Sequence, residues 1–540
     1  CFVFRSTIKH PHSRYLCRAR PQTDPSKLKM TTRFQNKIAF TFIATLFCLQ
    51  VWSQGKLQLL PGTQKVYAIQ NNVHRLVGTV SFEYQGNTMY CDSAHYNDKA
   101  KEVRAYGNVH IQKHGINLYA DSIYYAENNK YAKLWGNVRA RDNAYKMSAD
   151  SMDYDAKKGR AIFRSYGTIA SILSDEKITC ERGYFYPANG SFFFSGKVHY
   201  SKADLDVTAD TLQFAYEQQK LYFFGNTQLR NDSTQIYCQK GWYHVQTEAG
   251  SLFDHAEIYL KNTIIKGDTL LINTKTNDHE GRGNVYFKDL DHQLALLGSH
   301  MVYSTTDHFA YVCGNSLGFL KYQNDTLYVH ADTLFLERDS INQSKNLVAN
   351  KNFRFLHPKL QGIGDSTSYN FELSKLEIGK DPVLWSKNGE LKGEVAKVFF
   401  KDSLLKQVEL DANATILFEV QKDSLYNQMA AKRIVADFDT SGTLYQVTAS
   451  GNAWTIFFPL TTKKINDTLV EEQREGLNRL IAQKLLVELK QGEVSQITYF
   501  DQPDGIFYPM QEIDPKDRWI KGFKWNPSLR PRSAITLRQD

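Results

Sequence analysis

The chain has 540 residues, of which 42% are hydrophobic and 23% are charged, and its formal net charge is +9. Residues 1–29 carry seven lysines and arginines against one aspartate, and residues 30–53 add two further positive charges. Subtracting +6 and +2 from +9 leaves about +1 for the rest of the chain. A nucleic-acid-binding surface needs a concentrated positive field, so we expect no nucleic acid as a partner. A local basic excess remains in the C-terminal tail, at Lys516, Arg518, Lys521, Lys524, Arg530, Arg532 and Arg538.

The N-terminal residues have the pattern of an export signal that begins at Met30. Residues 1–29 show no hydrophobic periodicity, and we interpret them as upstream, non-native translation. Residues 30–53 combine a positive start at Arg33 and Lys37 with an apolar stretch at 38–49. This is the organisation of a signal peptide, and we place the cleavage after Ser53. The apolar stretch is short for a spanning helix, which disfavours the alternative of a retained membrane anchor.

A glycine-centred element recurs along the chain every 29 to 31 residues up to Gly225. Its copies are Gly-Asn-Val or close variants, and they begin at Gly78, Gly107, Gly136, Gly167, Gly196, Gly225, Gly283 and Gly314. A fixed period of this length is typical of repeat architectures.

A second element, Ala-Asp-Ser/Thr, lies in register with the first. Its clearest copies begin at Ala120, Ala149, Ala209 and Ala331. An aromatic residue follows four positions after the acidic position, at Tyr96, Tyr125, Tyr154, Phe185, Phe214 and Tyr243. Such a ladder more often packs a core than binds a ligand.

Both elements show the two-residue alternation of half-buried strands. Alternate positions at 103–111 are apolar or glycine, and glycine in the middle of a strand indicates a bend or a close backbone approach. The apolar phase shifts by one residue at Asp121-Ser122. We interpret this shift as a β-bulge that turns the strand towards a facing sheet while its apolar side stays inward.

These patterns predict an all-β fold, namely an elongated, open β-jelly roll or V-shaped β-sandwich built from two-strand repeats of about 29 residues. We assign residues 54–335 to the regular repeats, residues 336–513 to a continuation with variant repeats, and residues 514–540 to a basic aromatic tail. The composition of residues 477–489 also permits a helix. Trp519, Phe523 and Trp525 are unusual in disordered segments, which favours docking of the tail on an outer-membrane partner.

No sequence motif points to catalysis, to a metal or to a cofactor. The chain lacks HExxH, CxxC and the phosphate-binding glycine loops, and the repeated Asp-Ser pairs have no base at a fixed spacing. Catalysis needs one converging set of groups, so we expect no enzyme. Cys91, Cys180 and Cys238 occupy the alanine position of the second element, where we expect small inward core residues rather than disulfide partners.

The sequences at 107–111, 118–125, 134–138 and 147–154 resemble the OstA/LptA family, specifically over about residues 60–335 and more loosely to about residue 500. That family includes the periplasmic lipopolysaccharide-transport protein and the N-terminal domain of its outer-membrane receptor. The resemblance implies an open β-jelly roll whose apolar interior receives the acyl chains of lipid A and whose domains stack end to end between the two membranes. Carried onto this chain, the lipid-binding residues are Val109, Ile111, Ile116, Leu118, Ile123, Leu134, Val138, Met147, Met152, Val207 and Leu212.

Three functional hypotheses therefore stand. The first is a periplasmic lipopolysaccharide carrier, associated with the outer membrane, whose partners are lipid A, the inner- and outer-membrane transport components and further copies of itself, bound head to tail. The second is a structural scaffold of outer-membrane assembly, with a fully packed interior that carries no lipid. The third, a polysaccharide-processing solenoid, is disfavoured because the repeated acids lie at bends and not in one cluster.

Overall fold

The computed structural model describes residues 58–61, 65–69, 72–84, 87–113, 116–141, 143, 145–155, 157–186, 191–321, 325–341, 343–387, 389–401, 404–421, 424–466, 469–490 and 493–538. The interpretations of residues 1–29 and of the signal peptide, including cleavage after Ser53, fall outside the described residues. The chain divides into an N-terminal unit, which ends at Lys261 and includes 268–276, and a C-terminal unit of 262–267 and 277 onwards.

The N-terminal unit is built from antiparallel strands, most of which pair with the strand that precedes them in the sequence. This agrees with the β-branched and aromatic residues of the repeats, which fit a pleated surface. The strands are β1 (Gln58–Leu59), β2 (Lys65–Ile69), β3 (Val73–Tyr84), β4 (Asn87–Asn97), β5 (Glu102–Lys113), β6 (Ile116–Ala126), β7 (Tyr131–Arg141), β8 (Tyr145–Asp155), β9 (Arg160–Phe163), β10 (Gly167–Ser171), β11 (Lys177–Cys180), β12 (Arg182–Tyr186), β13 (Ser191–Lys202), β14 (Leu205–Ala215), β15 (Lys220–Arg230), β16 (Gln235–His244) and β17 (Ala249–Tyr259). The next strand, β18 (Thr263–Asn273), contributes residues to both units.

The C-terminal unit continues the same antiparallel pattern with longer and less regular strands. They are β19 (Asp278–Asp289), β20 (Leu294–Ser304), β21 (Phe309–Lys321), β22 (Thr326–Arg338), β23 (Ser344–Leu356), β24 (Gln361–Asn370), β25 (Lys375–Gly379), β26 (Val383–Trp385), β27 (Gly389–Lys392), β28 (Val395–Lys401), β29 (Leu404–Gln421), β30 (Leu425–Phe438), β31 (Leu444–Phe457), β32 (Leu460–Asn466), β33 (Leu469–Arg474), β34 (Gly476–Lys490), β35 (Glu493–Phe500) and β36 (Asp504–Pro509). The helix permitted at 477–489 is wrong, because these residues form β34 and pair with β31 and β35.

Helical structure is limited to short 3-10 turns in the described part of the chain. They span Tyr216–Gln218, Met510–Glu512, Pro515–Arg518, Pro527–Leu529 and Thr536–Arg538. None of the described helices is long and apolar enough to cross a membrane. The predicted all-β fold of two strands per repeat is therefore confirmed.

Each regular strand bends at a corner, and the extra residue of the corner belongs to the glycine-containing strand. Tyr106 pairs with Ser122 and Val109 pairs with Ala120, so two residues of β5, Gly107 and Asn108, face one residue of β6. Both lie in the left-handed region, with φ of 73° and 45°. The sequence placed the bulge at Asp121-Ser122, on the other strand. The alternation of apolar residues does shift there, but the extra residue lies on the opposite strand, because glycine and asparagine adopt a positive φ most readily.

The acidic residue of the second element covers the corner of the following repeat. The side-chain amide of Asn108 donates to Asp92 Oδ2 at 2.9 Å, and Asn137 donates to Asp121 Oδ2 at 3.0 Å. At Gly225-Asn226 the backbone N–H of Asn226 donates to Asp210 Oδ2 at 2.9 Å. Lysine replaces asparagine in the ion pair of Lys197 with Glu181, at 3.0 Å. We call this arrangement, a carboxylate over a corner whose glycine is left-handed, the corner lock.

The cysteines in the alanine position are buried, as expected. Cys91, Cys180 and Cys238 are free thiols. Burial raises the pKa of each to about 12, and the charge of Asp92 adds to the increase at Cys91. They serve as small core residues.

The corner lock predicts that alanine is far more harmful at Gly136 than at Gly159. Both glycines have a positive φ, of 73° and 59°. A Cβ at Gly136 would lie 2.2 Å from Asp121 Oδ2, whereas nothing lies within 4 Å of a Cβ at Gly159. We expect Gly136→Ala to lower the free energy of unfolding by about 2–4 kcal/mol and Gly159→Ala by about 1 kcal/mol. Urea unfolding of both variants measures the difference, and equal losses would show that the lock does not constrain the corner.

Candidate functional site

The predicted lipid-binding residues all lie on described strands, and ten of them face the interior of the N-terminal unit. Ile116 begins β6, but its side chain lies outside the described residues. The other ten side chains are at most 5% exposed. They are Val109, Ile111, Leu118, Ile123, Leu134, Val138, Met147, Met152, Val207 and Leu212. The alternation of apolar residues therefore identified the inward face correctly. Burial of these side chains and their contact with lipid are separate claims.

Protein side chains fill much of this interior. Tyr200, Tyr243, Phe194 and Phe223 are among the largest fully buried side chains of the chain. A small cavity of about 10 Å³ lies beside Glu176, whose carboxylate accepts hydrogen bonds from the hydroxyls of Tyr145 and Tyr200 at 3.0 and 2.8 Å. That volume is at the lower limit for one water molecule. The aromatic ladder thus packs this core, with Tyr154, Phe185, Phe214 and Tyr243 all buried.

A larger apolar cavity, of about 80 Å³, lies within the C-terminal unit among β29, β30, β31, β34 and β35. Its walls are nearly all apolar, and several of the lining side chains are only half-buried, at Ile416, Phe418, Leu444, Phe457, Leu489, Val494 and Ile497. We call it the apolar cavity. The sequence analysis did not include these residues in the site, because the repeat markers fade before β29. The only signal was the variant strand–turn–strand pattern of residues 398–497.

The tail packs on the C-terminal unit. The rings of Trp519 and Trp525 contact Tyr426, with centroid separations of 5.2 and 5.4 Å. Buried Gln428 accepts from the backbone N–H of Ile520 at 2.9 Å, and buried Glu390 accepts from that of Asn526 at 2.9 Å. The aromatic residues that favoured docking on an outer-membrane partner are thus engaged within the chain. The surface on which the tail packs contains buried polar groups, which need hydrogen-bond partners.

Two family models match the N-terminal part of the chain. One is described as OstA-like protein and matches residues 62–210, and the other is described as LptA/(LptD N-terminal domain) LPS transport protein and matches residues 177–278. Residues 62–278 are therefore OstA/LptA-like. Both matches end before the strands that line the apolar cavity.

One solved structure similar to this chain is that of LptH from Pseudomonas aeruginosa, described as the LptA homologous periplasmic component of the conserved lipopolysaccharide transport device. It is 14% identical, and the match covers 26% of this chain and 82% of that one with a TM-score of 0.18. A search of curated proteins found no match.

The chain brings one Ser, Asp and His together, but not in the order that nucleophilic catalysis needs. The hydroxyl of Ser344 and the ring of His292 both bond to Asp289 Oδ2, the latter at 3.1 Å. Because the carboxylate lies between them, Ser344 bonds to Asp289 and not to the imidazole that would accept its proton in a Ser-His-Asp triad. Among the described residues, no group of three or more His, Cys, Asp and Glu side chains could hold a metal ion.

Three histidines of the C-terminal unit are kept neutral by burial. Burial lowers the pKa of His279 to about 4, and it also lowers the pKa values of His330 and His357. Neither ring nitrogen of His279 has a hydrogen-bond partner among the described residues. Its ring stacks on Tyr303, with centroids 6.0 Å apart, and the charge of Asp278 offsets only part of the burial effect.

Stability of the C-terminal unit should therefore fall as the solution is acidified. A histidine whose folded pKa lies below its unfolded value contributes fully above the unfolded value, near 6.5, and loses that contribution as the pH falls towards the folded value. For His279 the window runs from about 6.5 to about 4, and the whole loss is on the order of 3 kcal/mol, of which about 2 kcal/mol falls between pH 7.5 and pH 5. Urea unfolding at pH 7.5 and pH 5 measures it.

His279→Phe tests whether this histidine carries the effect, because phenylalanine keeps the stack on Tyr303 and cannot be protonated. We expect the variant to lose much less stability between the two pH values than the wild type. Hydrogen bonds from His292 and Ser344 outweigh burial and hold the pKa of Asp289 below its usual value, so that carboxylate acts only at lower pH. An unchanged pH dependence in His279→Phe would contradict the assignment.

Proposed function

We propose that the protein is a periplasmic carrier of lipopolysaccharide that takes lipid A acyl chains into its apolar interior for outer-membrane assembly. The observation that carries the proposal is the continuous apolar inward face of β5–β8, which lies within the segment that matches the OstA-like family. We further propose that residues 30–53 direct export and that the protein bridges towards the outer membrane. No enzymatic step forms part of this function.

Acyl-chain burial is sufficient to drive binding. Each buried CH₂ group stabilises the complex by about 0.8 kcal/mol, and the energy is the same whichever way the lipid moves. Transport in one direction therefore needs a separate, energy-coupled machine, and we propose the inner- and outer-membrane components of lipopolysaccharide transport as partners.

The two units differ in how ready they are to accept a chain. In the N-terminal unit the inward side chains are packed against one another, so acyl chains enter only when the packed faces separate. In the C-terminal unit the apolar cavity already exposes half-buried side chains such as Phe418 and Ile497. We therefore extend the proposed lipid-binding surface to this cavity.

Head-to-tail self-association is part of the proposal. Exposed apolar side chains lie on β2, where Val66 and Tyr67 are 52% and 50% exposed, and on β36, where Ile506 and Phe507 are 57% and 51% exposed. Short strands with such side chains are surfaces to which a strand of a second copy can add.

A scaffold that carries no lipid is the alternative, and one observation favours it. The ten described side chains of the predicted lipid-binding row are at most 5% exposed, which is the packing of an ordinary core. The two functions differ in whether this interior ever contacts lipid.

Site-specific photo-crosslinking in cells separates them. A photoreactive residue replaces Leu118, Val138 or Ile497, which face the interior, and in matched controls it replaces the neighbours Tyr119, Arg139 or Gln496, which are exposed. We expect lipopolysaccharide adducts at the first three positions and not at the controls, with all six variants exported and folded. Adducts at Ile497 alone would restrict the carrier to the C-terminal unit. The absence of adducts at every position would establish the scaffold.

A further inference from the structure

A cleft of about 580 Å³ lies on the C-terminal unit between the corners of β29–β31 and residues 520–524 of the tail. We call it the tail cleft. Four of its sixteen lining residues are lysines and none is acidic. The lysines are Lys392, Lys432, Lys521 and Lys524. Its volume is within the range typical of small-molecule sites, and like charges gathered in one concave surface attract an anion.

The tail portion of the cleft is held in a defined shape. The backbone N–H of Phe523 donates to the carbonyl of Ile520 at 3.1 Å, and Gly522 closes this turn with a φ of 90°. Lys392 Nζ donates to the carbonyl of Lys524 at 2.7 Å and also contacts the buried carboxylate of Glu390. Lys392 is therefore occupied, whereas Lys432, Lys521 and Lys524 are exposed and form no ion pair with the described residues.

The opposite wall of the cleft is a corner in which a basic residue takes the place of the acidic residue of the corner lock. Gly451 and Asn452 have φ of 82° and 54°, like the other corners. The residue that covers them is Lys432, because a Cβ at Gly451 would lie 2.7 Å from the Cβ of Lys432. At the neighbouring corner the usual acid is present, and Asn413 donates to Glu394 Oε1 at 2.7 Å.

Because Lys432 stands in the acidic position, the corner at Gly451-Asn452 is left without the carboxylate of the corner lock. In the regular corners the asparagine amide or the backbone N–H of the bulge donates to an acidic side chain. Within the described part of the chain, no residue forms a hydrogen bond with the side chain of Asn452. Consecutive N–H groups in a turn can form an anion-binding concavity, and the side chain of Lys432 lies beside this corner.

We propose that the tail cleft binds a phosphate ester, which takes the place of the missing carboxylate between Asn452 and Lys432 and is neutralised by Lys521 and Lys524. A phosphate monoester carries a charge of about −1.5 to −2, so it balances three free lysines better than a single carboxylate does. The room beyond the phosphate, beside Phe523 and the alanines of β29 and β30, accommodates the group to which the phosphate is attached. This inference stands independently of acyl binding in the interior.

The test uses the full exported chain and isothermal titration with inorganic phosphate. We expect wild-type protein to bind phosphate, more weakly as salt rises, and the triple variant Lys432→Gln, Lys521→Gln, Lys524→Gln to lose at least about tenfold in affinity. The matched control carries Lys99→Gln, Lys157→Gln and Lys275→Gln, three exposed lysines outside the cleft, and should bind as the wild type does. Absence of phosphate binding in the wild type, or equal losses in the two triple variants, would overturn the proposal.

A second variant, Lys432→Glu, distinguishes a binding site from a general charge effect. Glutamate restores the carboxylate of the corner lock, so we expect it to accept from Asn452, to preserve the thermal unfolding temperature and to abolish phosphate binding. Phosphate affinity equal to that of the wild type in this folded variant would contradict the assignment of the corner.

The source of the phosphate is decided by vesicle co-sedimentation. If the ester is a lipid headgroup, vesicles of phosphatidylcholine with phosphatidic acid should retain the wild type but not the triple cleft variant, and inorganic phosphate should release it. If phosphate binds in the titration but neither these vesicles nor vesicles of phosphatidylcholine alone retain the protein, the ligand is a soluble phosphate ester. Both outcomes support the phosphate site, and they differ only in whether the phosphate belongs to a lipid or to a soluble ester.

Discussion

The corner lock is the interaction on which the regular strands depend. A strand that must change direction in its middle interrupts its ladder of hydrogen bonds, and polar groups freed in this way are costly unless they find partners. Two left-handed residues make the turn at Gly107-Asn108, and a carboxylate from the adjacent repeat accepts a hydrogen bond from the asparagine side chain. Since each acid covers the corner of the next repeat, the lock also fixes the register between neighbours. It explains why the acid and the asparagine recur together sixteen residues apart, as at Asp121 and Asn137.

The lock leaves the interior to apolar side chains. Polar and charged groups of the corners stay on the exposed side, while the halves of the strand before and after each corner keep their alternate residues inward, as Leu118 and Ile123 do on either side of Asp121. In each unit the interior thereby becomes mainly apolar. In the N-terminal unit it is closed by its own packing, and in the C-terminal unit it retains the apolar cavity. A carrier needs an open apolar cavity at least part of the time. Crosslinking at the cavity and at the packed row therefore tests whether either of them contacts lipid.

The sequence alone predicted the strands and their inward faces, because both follow from local rules. Alternation with period two assigns Val109 and Ile111 to one face whatever surrounds them, and a glycine such as Gly107 in the middle of a strand signals a bend. The strand that carries the bulge was misassigned, since the phase shift at Asp121-Ser122 is as visible in the sequence as the surplus residue opposite it. The composition of 477–489 permitted a helix, and pairing with β31 and β35 decides for a strand. The apolar cavity and the tail cleft depend on contacts between distant segments, as between Lys392 and Lys524, and no local pattern contains them.

The buried thiols bear on the chemistry of the compartment to which we propose that the protein is exported. Oxidants and disulfides react with the thiolate and not with the thiol. With pKa values of about 12, Cys91, Cys180 and Cys238 hold almost no thiolate at neutral pH. Once folded, the chain is therefore inert towards thiol exchange at these positions, and these three thiols are open to oxidation only in the time between export and closure of the strands around each sulfur.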